Sequence, residues 1–127
     1  MASFGPDGEF RFLTHGPNVA AEVIDARTRR VMLSLPKVTG ATTASAFASK
    51  SGRVAAGTLR GTIAIANPKT GECSDPIEAH RGVVRQMEWN SEGTRVATCG
   101  QDGTAAVWNE RGEKLVAVAD PKSPIVV

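Results

Sequence analysis

Apolar residues in this chain come in short runs. Each run breaks off at a cluster of Gly, Asn, Asp or Ser before the next begins. In "RVATCGQDGTAAVW", Arg95 to Trp108, a small β-branched run meets a Gly-Gln-Asp-Gly turn, and the run that follows stops on tryptophan. Asp102 and Gly103 tolerate the positive φ that a tight hairpin requires, so the pattern predicts two antiparallel strands. No segment sustains a period of 3.6, and the 13 glycines and 7 prolines fall too often for long helices. A lone hairpin is marginal in water, so this unit must be repeated or covered.

It is repeated. Shifting the quoted stretch back by 42 residues lays "RVATCGQDGTAAVWN" on "RVAAGTLRGTIAIAN", Arg53 to Asn67, and a second shift lays it on "RFLTHGPNVAAEVID", Arg11 to Asp25. Phe4, Phe47 and Trp89 form an aromatic column within about a residue of that spacing, followed by Gly8, Gly52 and Gly93. Val23, Ile65 and Val107 align, and Asp25, Asn67 and Asn109 close the third run of each unit. Each unit reads as four short strands. In the last these are "VVRQMEW", "RVATCG", "TAAVWNE" and "KLVAVAD"; in the middle unit "TTASAFA", "RVAAGT", "TIAIAN" and "ECSDPIE". The first unit has only "ASF" for its first strand, then "FRFLTH", "AAEVIDA" and "RVMLSLP".

Four antiparallel strands per unit of about 42 residues is the arithmetic of a β-propeller blade. The chain resembles the WD-repeat family, most clearly over "AHRGVVRQMEWNSEGTRVATCGQDGTAAVWN", Ala79 to Asn109. There the family's Gly-His opening falls on Ala79-His80 and its Trp-Asp close on Trp108-Asn109. The second unit has Lys37-Val38 and Ala66-Asn67 at those places, and the first closes on Ile24-Asp25. The expected fold is all-β: a partial propeller of three four-stranded blades, blade one about 1–36, blade two about 37–78 and blade three about 79–120. Residues 121–127 are expected to start a further strand, so that the first strand of blade one is split between the chain ends. Three blades cannot ring a channel. Two explanations follow: a piece of a longer propeller, or a partial propeller that closes a ring by oligomerisation.

The resemblance implies a hydrogen-bonded relay within a full blade, carried here by His80, Thr98, Asp102 and Trp108. Histidine can donate to the aspartate, and its other nitrogen can meet the threonine hydroxyl, which accepts from the indole. Thr, His and Asp also form a superficial nucleophile–base–orienter set, but catalysis needs an exposed nucleophile and a pocket, whereas this relay is expected inside the sheet. The second unit has Val38, Ala56, Arg60 and Ala66 at the relay places, and the first has Thr14, Asn18 and Ile24. His15 is expected at a strand end, with no partner that would make it a metal ligand.

Composition narrows the chemistry. With 15 Lys and Arg against 13 Asp and Glu, a net charge of +2 makes no case by itself for nucleic acid or an anionic membrane. Cys73 and Cys99 lack metal-type spacing and are too few for a disulfide framework, which predicts free thiols in a reducing compartment. No apolar run approaches the roughly 20 residues of a spanning helix, and the N-terminus has no signal-peptide pattern. The expected location is cytoplasmic, with the nucleus as the alternative.

In the family, partners bind the face carrying the loops before strand one and between strands two and three. The matching positions are Lys37, Thr39, Arg60, Arg81, Arg85 and Gln101, with His15 and Asn18 from the first unit. Four of these are basic, which points to an acidic or phosphorylated peptide. A nucleic-acid backbone is the lesser reading, because interleaved aromatics are missing. The expectation is a noncatalytic protein–protein interaction scaffold within a larger assembly, needing no cofactor and no metal.

Overall fold

The computed structural model describes residues 2–4, 10–16, 19–35, 37, 38 and 41–119, with side-chain detail from residue 21 onward. Among them there is no helix. The described residues form thirteen strands in three antiparallel sheets. The first sheet is β1 (Ala2–Phe4), β2 (Phe10–Gly16), β3 (Val19–Asp25) and β4 (Val31–Leu35), paired in chain order. The second holds β5 (Thr42–Phe47), β6 (Val54–Thr58) and β7 (Thr62–Asn67), with β8 (Glu72–Cys73) and β9 (Ile77–Glu78) both paired to β7. The third is β10 (Val84–Trp89), β11 (Arg95–Gly100), β12 (Thr104–Asn109) and β13 (Lys114–Ala119). The further strand expected over 121–127 lies outside the described residues.

The outer strand of the second sheet differs from the single run expected over "ECSDPIE". Ser74 takes over part of the ladder. Its N–H donates to the Ile65 carbonyl at 2.8 Å, and its hydroxyl accepts the Ile65 N–H at 2.9 Å. Pro76 then has no N–H to give, so pairing resumes only at Ile77. Asp75, in the break, pairs with Lys37 from the link between the first two sheets.

The repeated turn residues have one local cause. Asp25 Oδ1 accepts the N–H groups of Arg27 and Thr28, Asn67 Oδ1 accepts Lys69 N–H, and Asn109 Oδ1 accepts those of Arg111 and Glu113. Each closes the turn from the third strand to the fourth with a side chain that mimics backbone. Gly61 and Gly103, 42 residues apart, take φ of 90° and 79° in the turns between strands two and three.

Burial explains the residue choice in each sheet. Every residue of β6, Val-Ala-Ala-Gly-Thr, is buried, because the second sheet is covered on both faces. Val54, Ala56, Ala64 and Ala66 pack with Ala21, Val23, Leu33, Leu35 and Val38 of the first unit. On the opposite face Ala44, Ala55, Ile63 and Ile65 pack with Val84, Met87, Trp89, Val96, Ala106 and Trp108 of the third sheet. Fully burying a Val, Leu or Ile contributes about 1.5–3 kcal/mol. Among the described residues the six largest fully buried side chains, Leu35, Ile63, Val23, Val54, Val84 and Val96, all lie in these two layers, so inter-sheet packing holds the hairpins.

Polar bonds fix the register of the second sheet on the third. Trp89 Nε1 donates to the Ala46 carbonyl at 3.1 Å, and Thr43 Oγ1 to the Val84 carbonyl at 2.6 Å. Ser51 Oγ and Arg53 Nη1 both donate to the Gly93 carbonyl, at 3.2 and 3.1 Å. Lys50 and Glu92 also meet at 3.0 Å, but both side chains are mostly exposed, so this pair adds little.

Candidate functional site

The segment 79–83 runs past the β6–β7 turn into β10, and two backbone bonds from Ala79 and His80 N–H to the Gly61 carbonyl hold it there. This sets the His80 side chain, 0% exposed, under the third sheet. Its ring lies over Gly100, where an added Cβ would come within 2.5 Å of His80 Cγ and 2.7 Å of Asp102 Oδ1. In the second sheet the corresponding residues are Thr58 and Val38, both buried.

His80 Nε2 is 2.9 Å from Thr98 Oγ1, and Trp108 Nε1 donates to the same oxygen at 3.0 Å. On the other side His80 Nδ1 is 2.7 Å from Thr104 Oγ1 and 3.3 Å from Asp102 Oδ1. Thr104 Oγ1 donates to Asp102 Oδ1 at 2.8 Å. The proton positions follow from what each group can give. An indole only donates, so Thr98 accepts from Trp108 and passes its own proton toward Nε2. Nε2 is then bare and Nδ1 carries the hydrogen, which it offers to Thr104, whose proton goes to Asp102. One direction of donation satisfies every member with a neutral imidazole. Burial pushes the His80 imidazole down from its usual range, Lys114 adds to that, and the Asp102 carboxylate opposes it. Burial alone would raise the Asp102 carboxyl. The Arg81 N–H, the Thr104 hydroxyl and N–H, and His80 overcome that and hold it at about 2.

Thr104 is the member that sequence reading missed. Its signal is local: a threonine two residues beyond the turn aspartate, whose N–H and hydroxyl both reach that carboxylate. Lys114, also missed, lies over the Trp108 ring at 5.4 Å from the centroid. Thr98 is 2% exposed and its hydroxyl is engaged on both sides. The arrangement ties the segment before β10 to β11 and β12. In the second sheet three of the four relay places are apolar and buried, Val38, Ala56 and Ala66 at 4%, 1% and 3% exposure, and the fourth is the exposed Arg60.

The candidate partner residues fall mainly at one end of the sheets. Arg60 is in the β6–β7 turn, Gln101 in the β11–β12 turn and Arg81 just before β10, all exposed. Arg81 N–H caps Asp102 at 2.9 Å, and an added Cβ at Gly82 would lie 3.6 Å from Gln101 Oε1, so these turns are neighbours. Lys37 is exposed but engaged by Asp75. Arg85 is not in a loop. It lies on β10, at the bulge between Val84 and Gln86, which turns its side chain into solvent. Thr39 and Asn18 lie outside the described residues, and His15 is described as part of β2 only. Sequence reading also missed Leu59, 55% exposed beside Arg60. Arg60 and Arg81 carry no ion pair among the described residues. No cluster of three or more metal-binding side chains occurs among the described residues, and both cysteines are free thiols.

Three stacked antiparallel sheets spaced by a 42-residue period, with an indole, hydroxyl, imidazole and carboxylate relay in the third, define a partial β-propeller of WD type. Residues 71–109 match the family described as WD domain, G-beta repeat, so this part of the chain is a WD repeat. It is similar to the Intraflagellar transport protein 80 homolog of Mus musculus, 35% identical over 57 residues that make up 45% of this chain and 7% of the relative. The Rattus norvegicus protein of the same name matches to the same extent. The DDB1- and CUL4-associated factor 11 homolog of Caenorhabditis briggsae is 32% identical over 66 residues, 50% of this chain and 12% of the relative. The matched region is thus a small part of each relative's length.

Proposed function

We propose that this chain is a noncatalytic protein-interaction scaffold that presents the turn-bearing end of its sheets to an acidic or phosphorylated peptide. One observation carries the reading. Arg60 and Arg81 stand exposed and, among the described residues, without an ion pair, at the same end as Leu59 and Gln101, offering cations beside an apolar side chain. The buried relay is spent on holding strands together, so the polar chemistry left for a partner is this rim. The WD repeat at residues 71–109 supports an interaction role in general. The C. briggsae relative is named for its association with other proteins, which is a role of the same kind. No described helix is long and apolar enough to cross a membrane, and the free thiols suit a reducing compartment, so we place the scaffold in the cytoplasm, with the nucleus as alternative.

The test is capture on an array of acidic and phosphorylated peptides by the full chain and by Arg60→Glu/Arg81→Glu. The double reversal should weaken capture by about tenfold or more, with a marked salt dependence in the parent. Equal capture by both chains overturns the reading. So does selective binding of RNA with a steep salt slope and no peptide capture.

A further inference from the structure

The end of the sheets opposite Arg60 and Arg81 repeats its charge with the period of the chain. Arg11, Arg53 and Arg95 fall at one repeat position, at the start of the second strand. Arg27, Lys69 and Arg111 fall at another, two residues past the turn caps Asp25, Asn67 and Asn109. Strand pairing brings the two columns together, since Arg11 pairs with Asp25 and Arg95 with Asn109. The turns of successive sheets are neighbours. Arg53 Nη1 donates to the Gly93 carbonyl at 3.1 Å, and Arg53, Asn67, Glu110 and Arg111 border one hollow of about 520 Å³. Val23, beside the first turn, packs in one layer with Val54 and Ala66 of the second sheet. Face-to-face sheets lie about 10 Å apart, so the columns form two rows of cations at that spacing.

Several carboxylates at this end are already engaged. Glu92 pairs with Lys50, Glu113 pairs with Arg111, and Asp25 Oδ1 accepts two turn N–H groups. Arg29, Arg30, Lys69 and Arg95 are exposed and carry no ion pair among the described residues, against Glu72 and Glu110 as carboxylates in the same condition. Arg29 is an independent observation. It takes φ of 60° and donates its N–H to the Asp25 carbonyl at 2.8 Å, the bond by which Gly71, at φ of 78°, closes on Asn67. Glycine takes that conformation without strain, yet the chain holds an arginine there, in a stretch, 27–30, where the one other residue type is threonine.

We propose that this end binds the phosphate backbone of a nucleic-acid duplex without reading its sequence. Arginine forks pair with phosphate oxygens, and the exposed hydroxyl residues Thr28 and Ser91 stand between them, of a kind that meets phosphate or sugar. The turns at this end carry no large apolar side chain among the described residues, which an anionic bilayer would need in order to hold so few cations. They carry no aromatic ring either, on which a single strand would stack.

The test is fluorescence anisotropy of the full chain with labelled DNA and RNA duplexes of mixed sequence, about 24 base pairs long, across roughly 50 to 200 mM salt. Binding should lie at about 1–100 μM, with log K falling against log salt at a slope of about −3, the release expected from three or four phosphates. Arg29→Gly should weaken binding about three- to tenfold and make the slope shallower by about one, while the folded chain is kept. Lys69→Gln/Arg95→Gln should make it shallower by about two. Glu110→Gln should tighten binding, a gain that damage to the fold cannot produce. The duplex bound more tightly, DNA or RNA, names the source, and either supports the proposal. Binding of neither duplex overturns it, as does a slope that Arg29→Gly and Lys69→Gln/Arg95→Gln leave unchanged. Equal or tighter binding of the matching single strand, of phosphatidylserine vesicles or of polyglutamate overturns it in favour of that ligand. Arg60→Gln/Arg81→Gln should leave duplex binding within about twofold, because the two ends are separated by more than a screening length. Arg29→Gly should capture acidic peptides as the parent does, so this inference and the rim reading can fail separately.

Discussion

Replacing Thr98 by valine removes one hydroxyl from the centre of the relay and leaves the side-chain shape in place. Thr98 is 2% exposed, and its oxygen accepts from Trp108 Nε1 at 3.0 Å while its proton serves His80 Nε2 at 2.9 Å. Both partners are buried, Trp108 at 2% exposure and the His80 side chain at 0%, so water cannot replace the lost bonds. Two net hydrogen bonds at about 1 kcal/mol each, together with an indole N–H and an imidazole nitrogen left unsatisfied, put the loss at about 3 kcal/mol. For a chain of this size that is a fall of roughly 10 °C in Tm. Thr98→Ser keeps the hydroxyl and loses a methyl, which costs about 1 kcal/mol. Urea unfolding at pH 7.5, followed by tryptophan fluorescence and far-UV circular dichroism, measures both variants; equal m-values license the comparison. A valine variant within about 0.5 kcal/mol of the parent, or a serine variant as unstable as the valine one, would refute the assignment of that oxygen as a two-sided bridge.

Acid should weaken the chain in two stages. His80 has a native pKa below its unfolded value near 6.5, so the unfolded chain binds the extra proton, and stability falls as pH drops through that region. Asp102, held at about 2 against an ordinary 3.8, adds a second loss as pH falls from 3.8 toward 2. Urea midpoints across pH 8 to 2 should show the upper stage in His15→Asn and lose it in His80→Asn. Arg29→Gly should raise stability by about 0.5–1 kcal/mol in the same urea assay, because Arg29 takes φ of 60° where Gly71 and Gly112 stand in the sister turns. Gly57→Ala should lower it by about 1–3 kcal/mol, since its methyl meets Val84 and Met87 in a packed layer. Thr42→Val should be neutral or stabilise by about 1 kcal/mol, as the Thr42 hydroxyl is buried without a partner among the described residues and the equivalent residue of the third sheet is Val84.

What could be read from the chain alone follows the range of the forces involved. Hairpins, period and turn columns were legible because their causes are local: the Asp25, Asn67 and Asn109 side chains act within their own turns. Thr104 was missed although it is local, because a residue that both donates and accepts leaves no mark on a hydrophobic pattern. The break in the outer strand at Ser74 and Pro76 was hidden because β-branched and charged residues on either side keep the strand pattern going. Arg85 was placed in a loop because a one-residue bulge puts it among exposed positions while its neighbours stay paired. The bonds from Trp89 to Ala46 and from Arg53 to Gly93 join sheets, and no single repeat carries their signal.

The unequal distribution of the relay follows from the stacking. The second sheet is gripped on both faces, so every position of β6 is apolar, small or a satisfied threonine, and Val38, Ala56 and Ala66 hold its hairpins by contact alone. The third sheet is gripped on one face. Its β11 alternates exposed and buried at Arg95, Val96, Ala97 and Thr98, and only the inward positions contribute packing. With half the apolar contact, its strands need a second restraint. The chain running from Trp108 through Thr98 and His80 to Thr104 and Asp102 supplies it on the covered side, where low polarity strengthens each bond.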